Sequence, residues 1–220
     1  GEQFGDAYYQ DAYNPAANYT RSNLNRPNVL KGTVLYKVPL GKGHQLLNSD
    51  IGDAVLGGWE ASGDYVAESG APFTVTMDDP NQDGSLAGSG DVDGNSEAAW
   101  YPNLTGNPGS GGNIKSWFNQ QAYSSPAANT FGTNVRNSLV GPGLVTFDFS
   151  LAKSFGIPGW ERGKVQIRMD GNNIFNHPAF NDPASQLSHA ALGGTSSPSV
   201  GQITGSASGR TIELSGRFSF

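Results

Sequence analysis

The sequence predicts an all-β chain of antiparallel, up-and-down strands, and three observations lead to this prediction. The 220 residues include 31 Gly and 13 Pro but only 36% hydrophobic residues, a composition poor in helix formers and rich in turn formers. Five segments alternate apolar and polar side chains with the two-residue period of a strand. The connections between these segments alternate in length. The pattern is typical of a transmembrane β-barrel, which five strands leave incomplete because the smallest membrane barrels have about eight.

The clearest of the five segments is the last, residues 209–220. One side of this segment carries only apolar residues and a glycine: Ile212, Leu214, Gly216, Phe218 and Phe220. The other side carries only polar residues: Thr211, Glu213, Ser215, Arg217 and Ser219. A strand needs about 9–11 residues to cross a hydrocarbon layer, and this segment is long enough. It therefore predicts a strand with one side toward lipid and one side toward a polar lumen.

Four further strands are predicted at residues 28–38, 55–76, 144–155 and 164–174. Each strand separates apolar from polar side chains in the same way, with Leu35 as an exception in the strand at 28–38. The side chains predicted to face the membrane are Val145, Phe147, Phe149, Leu151, Val165, Ile167, Ile212, Leu214 and Phe218. Charged side chains predicted to face the lumen are Lys31, Glu60, Asp64, Asp148, Arg168, Asp170, Glu213 and Arg217. We therefore interpret residues 26–220 as one barrel segment, preceded by a loop or strand end over residues 1–25.

The connections indicate how such a sheet would be oriented. Residues 39–54 and 156–163 are the shorter connections and fall at one end, whereas the long connections, 77–142 and 174–207, fall at the other. Outer-membrane barrels have short periplasmic turns and long extracellular loops. Phe220 is therefore expected at the periplasmic end. A β-sandwich with decorated loops is the alternative that side-chain alternation alone leaves open.

The aromatic residues near the shorter connections fit this orientation. Trp160, Phe155 and Phe218 would lie near the periplasmic interface, where girdles of aromatic side chains are expected.

The chain has no initial Met and no signal peptide, so we expect Gly1 to follow a cleavage or to lie within a longer chain.

Composition and absent motifs argue against several functions. The net charge of −6 disfavours nucleic acid as a partner, since phosphate binding requires a basic surface. The chain has no cysteine, so it cannot form disulfides, thiolate metal sites or a cysteine nucleophile. His44, His177 and His189 have no partners at metal-ligand spacing, and neither a G-x-S-x-G elbow nor a phosphate-binding loop occurs. We therefore expect no enzyme activity.

One acidic stretch resembles the start of a calcium-binding loop. Asp79, Asn81 and Asp83 supply oxygen ligands at positions one, three and five, and Gly84 follows at position six. Position twelve is Gly90, where a bidentate Glu belongs. Calcium is thus the one cofactor that the sequence suggests, and a solvated acidic loop without a metal is the alternative.

Aromatic side chains interrupt the polar sequence of the first long connection. The residues concerned are Trp100, Tyr101, Trp117, Phe118 and Tyr123. Such rings can stack on sugars or other amphipathic ligands. Alternatively they pack the long connection against itself, as an ordered long loop requires.

Six blocks of sequence, in order, resemble one family. They are RPNVLKGTVLYKVPLGKG (26–43), VLGGWEASGDYVAESGAPFTVT (55–76), WFNQQAYSSPAANTFGTNVRNSLVGPG (117–143), TFDFSLAKSF (146–155), KVQIRMDGNNIFNHPAF (164–180) and the final RTIELSGRFSF. The chain thereby resembles the C-terminal portion of Oar-like TonB-dependent outer-membrane transporters, which carry a carboxypeptidase-regulatory-like domain. Nothing in the 220 residues resembles the plug domain, the TonB box or the regulatory-like domain of that family.

The resemblance implies a large barrel in the outer membrane of a Gram-negative bacterium, energised through TonB. Such a barrel would import a scarce nutrient or move cargo. Its partners would be outer-membrane lipid, the rest of the barrel and its plug, the TonB complex through a part of the protein outside this sequence, and the barrel-assembly machinery, which would read Phe218 and Phe220 as its signal. The alternative is a barrel-derived β-structural fragment whose strand edges pair with other copies, forming a fibre or a surface layer; a released fragment of this kind would lie at the cell surface or outside the cell.

Overall fold

The computed structural model describes residues 14–40, 55–77, 101–109, 111–127, 130–157, 159–188 and 199–220. Within these ranges the chain forms eleven strands and two 3₁₀ helices, Pro15–Asn18 and Gln120–Ala122, and residues 55–56 are α-helical. The strands in chain order are β1 (Val29–Lys37), β2 (Trp59–Glu68), β3 (Pro72–Phe73), β4 (Thr76–Met77), β5 (Asn103–Leu104), β6 (Tyr123–Ser124), β7 (Leu139–Val140), β8 (Leu144–Ile157), β9 (Trp160–Asn172), β10 (Gln186–Leu187) and β11 (Thr211–Ser219). The prediction of an all-β, antiparallel fold is confirmed.

The five long strands form one antiparallel sheet in the order β1-β2-β8-β9-β11. The end of β2 at Glu68 pairs with Leu144 at the start of β8, and the end of β9 at Asn172 pairs with Thr211 at the start of β11. Both long connections therefore leave and re-enter the sheet at the same end. Among the described residues, β1 and β11 are each paired along one side only, so the sheet is open.

The segment 55–76, predicted as one strand, divides into three. β2 begins at Trp59 after Gly58, whose φ of +68° belongs to the left-handed region. Beyond Glu68 the chain leaves the large sheet, since β3 pairs with β7 and β4 runs parallel to β10. The β2–β8 ladder ends at the pair Glu68–Leu144, and Pro72, which has no N–H to donate, pairs with Val140 in the short β3–β7 ladder.

β8 and β9 extend closer to their shared turn than the predicted bounds, 144–155 and 164–174, indicate. β8 continues to Ile157, β9 already begins at Trp160, and Gly159 has a φ of +80° in the turn between them. Gly163, which suggested a turn in the sequence, lies within β9, and the Trp160 ring occupies the space that a side chain there would need. A Cβ there would lie 2.8 Å from Trp160 Cδ2. At its other end β9 stops at Asn172.

The chain forms two compact units. The sheet unit comprises Asn28–Glu68, Leu144–Ala179 and Ala207–Phe220. The loop unit comprises Gly1–Pro27, Ser69–Gly143 and Phe180–Ser206. The loop unit thus draws together most of the two long connections and the segment before β1.

The loop unit has a hydrophobic core of its own. Its buried members are Phe73, Val75, Met77, Phe118, Ala122, Tyr123, Leu139, Leu187 and Val200. The ring of Phe118 lies 6.0 Å from that of Phe73 and meets that of Tyr123 edge-on at 6.1 Å, measured between centroids. The long connections, predicted to be irregular, are therefore ordered in part, because side chains from both of them bury apolar surface against each other.

Asn137 ties the segment before β1 to this unit. Its φ of +54° is left-handed, a conformation that Asn tolerates better than most residues. Its backbone N–H donates to Thr74 Oγ1 at 2.8 Å, and its Nδ2 donates to the carbonyl oxygen of Arg21 at 2.6 Å. The Arg21 guanidinium donates to the carbonyl of Asn137 at 3.0 Å. Three segments far apart in sequence are thereby joined at one buried amide.

Leu187→Ala tests whether the loop unit has a true core. Leu187 is 1% exposed and pairs with Met77 through β10 and β4. Removing its side chain should destabilise the loop unit by about 2–5 kcal/mol, because a cavity replaces close packing. Hydrogen exchange of loop-unit amides, such as Gly141 N–H bonded to the Ala71 carbonyl, measures the loss. Ile114→Ala, at a 46% exposed position, is the control and should change stability by less than about 0.5 kcal/mol. Equal losses in the two variants would contradict a packed core.

Tyr123→Phe tests the cost of a buried hydroxyl. Tyr123 is 5% exposed, and its hydroxyl has no hydrogen-bond partner among the described residues. Burial raises the pKa of Tyr123 from 10.0 to about 12. The unfolded chain therefore ionises first, and the wild-type loop unit should lose about 2–3 kcal/mol of stability between pH 10 and pH 12.

Tyr123→Phe should reduce this alkaline loss, leaving the part that comes from the buried Tyr101, whose pKa is also raised, and should leave stability at pH 7 unchanged or higher, since the unpaired Tyr123 hydroxyl is gone. Urea unfolding followed by Trp117 fluorescence, with the other tryptophans replaced by Phe, measures both quantities. Tyr19→Phe, at a 94% exposed ring, is the matched control. An alkaline loss as large in Tyr123→Phe as in the wild type would contradict the assignment.

Candidate functional site

The pairing register puts the apolar sides of the five long strands on one face of the sheet. Val34 pairs with Gly63, Gly63 with Phe149, Phe149 with Gly171, and Gly171 with Ile212. Side chains of directly paired residues project from the same face. Every residue predicted to face the membrane lies on this apolar face: Val145, Phe147, Phe149, Leu151, Val165, Ile167, Ile212, Leu214 and Phe218.

The apolar face is open over much of its area. Leu214 is 74% exposed, and Val34 and Ile167 are also largely exposed. A contiguous apolar surface of this kind marks contact with lipid or with another protein. A slip of one residue in any strand pair would move a whole set of apolar side chains to the other face. The pairing register therefore determines that one face is apolar and the other polar.

Aromatic side chains cluster near both ends of the apolar face. At the end of the short β8–β9 turn, the ring centroid of Trp160 lies 5.6 Å from that of Phe218 and 6.5 Å from that of Phe220. At the end of the long connections, Phe147 stacks on Phe175 with centroids 5.3 Å apart. Sequence reasoning identified Trp160 and Phe218 but not Phe175, which lies beyond its strand.

The spacing of these clusters is close to the height of the apolar band of a membrane barrel. Phe155 pairs with Val165, which pairs with Phe218, so Phe155 marks the row of the first cluster on β8. Phe147 and Phe155 are eight residues apart on β8, about 27 Å along the strand at about 3.4 Å per residue. At the strand tilt of about 35–45° in outer-membrane barrels, this length spans about 19–22 Å along the membrane normal, and the apolar band between the two aromatic girdles is about 25 Å tall.

The opposite, polar face carries paired charges. Lys31 Nζ lies 3.1 Å from Glu68 Oε1, and Lys37 Nζ lies 3.8 Å from Glu60 Oε2. Thr33 Oγ1 donates to a carboxylate oxygen of Asp64 at 2.6 Å. Each contact joins β1 to β2, so charged and polar side chains link these two strands across the polar face. Such exposed pairs contribute about 0–1 kcal/mol each.

A denser network joins β8 to β9 on the same face. The Nε of Arg168 donates to both carboxylate oxygens of Asp170 at 2.8 and 2.9 Å, and its terminal nitrogen donates to Ser150 Oγ at 3.2 Å. Ser150 Oγ in turn donates to Asp170. The serine hydroxyl, the carboxylate and the guanidinium are thus hydrogen-bonded to one another. Such a charged, hydrogen-bonded surface suits contact with water.

The aromatic side chains of the first long connection that are described pack inside the loop unit. Tyr101 and Tyr123 are buried, and Trp117 packs partly buried against the core with its indole N–H donating to the Val140 carbonyl at 2.8 Å. Burial raises the pKa of Tyr101, an effect that the charge of Arg136 opposes. These contacts do not support ligand stacking on Tyr101 and Tyr123 but agree with the packing alternative. Trp100 lies outside the described residues.

The predicted calcium ligands Asp79, Asn81 and Asp83 also lie outside the described residues. The same is true of His44 and His189. Within the ranges that are described, no group of three or more His, Asp or Glu side chains is arranged to hold a metal ion.

Sequence reasoning missed two residues that shape the sheet unit. Asn173 has a φ of +49° and ends β9; its N–H donates to Asp148 Oδ1 at 2.7 Å, and its side chain exchanges two hydrogen bonds with the backbone of His177. The turn-forming pair Asn172-Asn173 was the available signal. Lys153 lies on the apolar face, and a lysine among alternating apolar residues was the signal there.

Among the described residues, no helix is long and apolar enough to cross a membrane. A family model described as an outer membrane beta barrel domain matches residues 1–213. The comparisons with curated proteins and with solved structures found no match. The match covers nearly the whole chain and agrees with an antiparallel sheet that has one apolar and one charged face. The chain therefore belongs to the outer membrane beta barrel domain family and is an outer-membrane protein.

Proposed function

We propose that the chain is part of a TonB-dependent outer-membrane receptor or transporter, which takes up a scarce nutrient or moves cargo. The observation that carries this proposal is the open five-stranded sheet, whose apolar face suits lipid and whose charged face suits a water-filled lumen. The six ordered blocks of sequence that resemble Oar-like transporters supply the link to TonB. A barrel segment whose long connections share a hydrophobic core among their described residues also fits a receptor that binds its cargo outside the cell.

The strand directions indicate what completes the sheet. β1 and β11 both run from the end of the long connections toward the end of the short ones, so the two open edges are parallel to each other. Bacterial outer-membrane barrels of one chain have an even number of strands, all antiparallel. An odd number of further strands, placed between β11 and β1, would close such a barrel. The proposal is therefore that the same protein supplies them.

The same directions disfavour a closed ring of identical copies. If copies stood in the membrane with the same orientation, β11 of one copy would have to pair with β1 of the next in parallel. Antiparallel pairing of β1 with β1, or of β11 with β11, would place the long connections at opposite ends in alternate copies. Such pairing fits a fibre or surface layer, the alternative function, better than it fits a membrane pore.

The proposed orientation places the short connections in the periplasm and the long connections outside the cell. Phe218, near the end of β11, and Phe220, just after it, pack against Trp160. In this orientation the three rings lie at the periplasmic side. β11 is also an open edge, onto which the barrel-assembly machinery could add a strand while it reads these residues. Cargo contacts are proposed on the outer surface of the loop unit.

Introducing lysine at adjacent positions of β8 tests the two faces. Phe147 lies on the apolar face, where its ring covers Gly63 and stacks on Phe175, whereas Thr146 lies on the polar face. Because Phe147 lies in the aromatic row at one end of the apolar band, Phe147→Lys should destabilise the barrel by less than the about 2–4 kcal/mol that lysine costs at the bilayer midplane, but by more than Thr146→Lys does. Thr146→Lys should have a small effect, because a charge there meets water.

The measurement for this pair is urea unfolding of the native protein in phospholipid vesicles, followed by the mobility of the folded barrel in gels. Phe147→Leu separates the loss of ring packing from the cost of the charge. If Thr146→Lys destabilises the protein more than Phe147→Lys does, the faces are assigned the wrong way round.

Cross-linking in the native bacterium tests TonB dependence directly. The tagged full-length protein should be found in the outer-membrane fraction, and formaldehyde treatment of intact cells should give an adduct that contains both the tag and TonB. The adduct should disappear in cells that lack TonB. A membrane-resident protein that gives no adduct, in cells where another TonB-dependent receptor does, would refute TonB coupling. A discrete species with the mass of these 220 residues alone, in an ordered assembly, would favour the alternative.

A further inference from the structure

Lys153 is buried at a position where its neighbours are exposed. It lies on β8, paired with Trp59 of β2 and with Ile167 of β9, so its side chain leaves the sheet on the apolar face. Lys153 is 7% exposed, whereas Ile167 is 54% exposed. A segment of backbone that lies over this face at residues 55–57 accounts for the difference.

The ammonium group of Lys153 binds this segment directly. Its Nζ donates to the carbonyl oxygens of Val55 at 2.9 Å and of Gly57 at 2.7 Å. It also lies 5.0 Å from the ring centroids of both Trp59 and Phe155, where the ring faces attract a cation. The charge is therefore balanced by carbonyl dipoles and aromatic rings, an arrangement that does not require water.

Two further contacts fix the segment. The indole N–H of Trp59 donates to the same Val55 carbonyl at 3.0 Å, and the backbone N–H of Ser154 donates to the Gly58 carbonyl at 3.0 Å. Gly58 is left-handed, and a Cβ on it would lie 2.4 Å from the carbonyl oxygen of Ser154. Only glycine lets the chain approach β8 this closely. Residues 55–58 are thus held on the apolar face by both side-chain and backbone contacts.

The side chains that this segment presents are apolar and open. Val55 is 59% exposed and Leu56 is 39% exposed, although their backbone is fixed. The Lys153 Nζ that binds the Val55 carbonyl also lies 5.0 Å from the ring centroid of Phe155, so this segment is held near Phe155, which lies in the row of the Trp160, Phe218 and Phe220 rings. In membrane barrels such a row of rings lies at the boundary between acyl chains and headgroups.

From this geometry we infer that residues 55–58 are a membrane anchor, in which Val55 and Leu56 enter the acyl–headgroup boundary of the leaflet nearest the short connections. Lys153 is the positioning residue, because its ammonium group holds the anchor against the sheet. The Val55 and Gly57 carbonyls that it binds also shield its charge from the apolar surroundings. The occupant is lipid because the anchor is continuous with the apolar face of an outer-membrane protein. The inference rests on the proposed assignment of that face to lipid.

Site-directed spin labelling of the full native protein tests the anchor. The 220 residues contain no cysteine, so Leu56→Cys introduces a unique label site in this part of the protein. The protein is placed in vesicles of phosphatidylethanolamine and phosphatidylglycerol, and the label's accessibility to oxygen and to a water-soluble nickel chelate is measured. Phe149→Cys on the apolar face is the lipid reference, and Tyr19→Cys in the loop unit is the water reference. The label at 56 should favour oxygen, as the label at 149 does.

Lys153→Met then tests the positioning role, because methionine keeps an apolar stem but donates no hydrogen bond. The label at 56 should become more mobile and shift toward nickel accessibility, while the label at 149 keeps its signal. Lys115→Met, at an exposed position in the loop unit, is the matched control and should change neither label.

The outcomes separate the inference from its basis. If the label at 56 reports water while that at 149 reports lipid, the anchor is refuted and the assignment of the apolar face stands. If both report water, the face assignment fails and the anchor fails with it. If Lys153→Met leaves the label at 56 unchanged, Lys153 does not position the segment.

Discussion

The pairing register of the five long strands is the constraint on which the rest of the structure depends. Strand side chains alternate, so the register alone decides that the apolar sets of all five strands coincide on one face. The charged pairs on the other face, the aromatic clusters and the position of Lys153 all follow from it. Since β1 and β11 have an unpaired edge among the described strands, their directions also set the direction of any strand that could complete the sheet.

The long connections meet a different requirement. An ordered segment of this length must bury apolar surface to offset the entropy lost on ordering it. The loop unit does so through a core to which both connections contribute, and Asn137 joins the segment before β1 to them. A pre-ordered unit of this kind can offer a ligand a fixed surface, since less conformational entropy is lost on binding.

The sheet could be predicted because its signal is local: each strand shows a two-residue alternation in its own sequence. The loop unit could not, since the pairing of Thr76–Met77 with Gln186–Leu187 joins segments more than a hundred residues apart. The division of 55–76 was missed for the same reason, as alternation continues through Pro72 while the pairing partners change. Lys153 was visible as an exception to the pattern, but its carbonyl partners at Val55 and Gly57 are set by the tertiary path of the chain.

Family membership and the two-faced sheet together make contact of the apolar face with lipid the central claim of this account. The most direct test is a spin-label scan of consecutive residues 145–152 on β8, with the native protein in lipid vesicles. The account predicts that oxygen accessibility rises and falls with a period of two, with maxima at Val145, Phe147, Phe149 and Leu151. A profile without this alternation, or with maxima at the intervening residues, would contradict it.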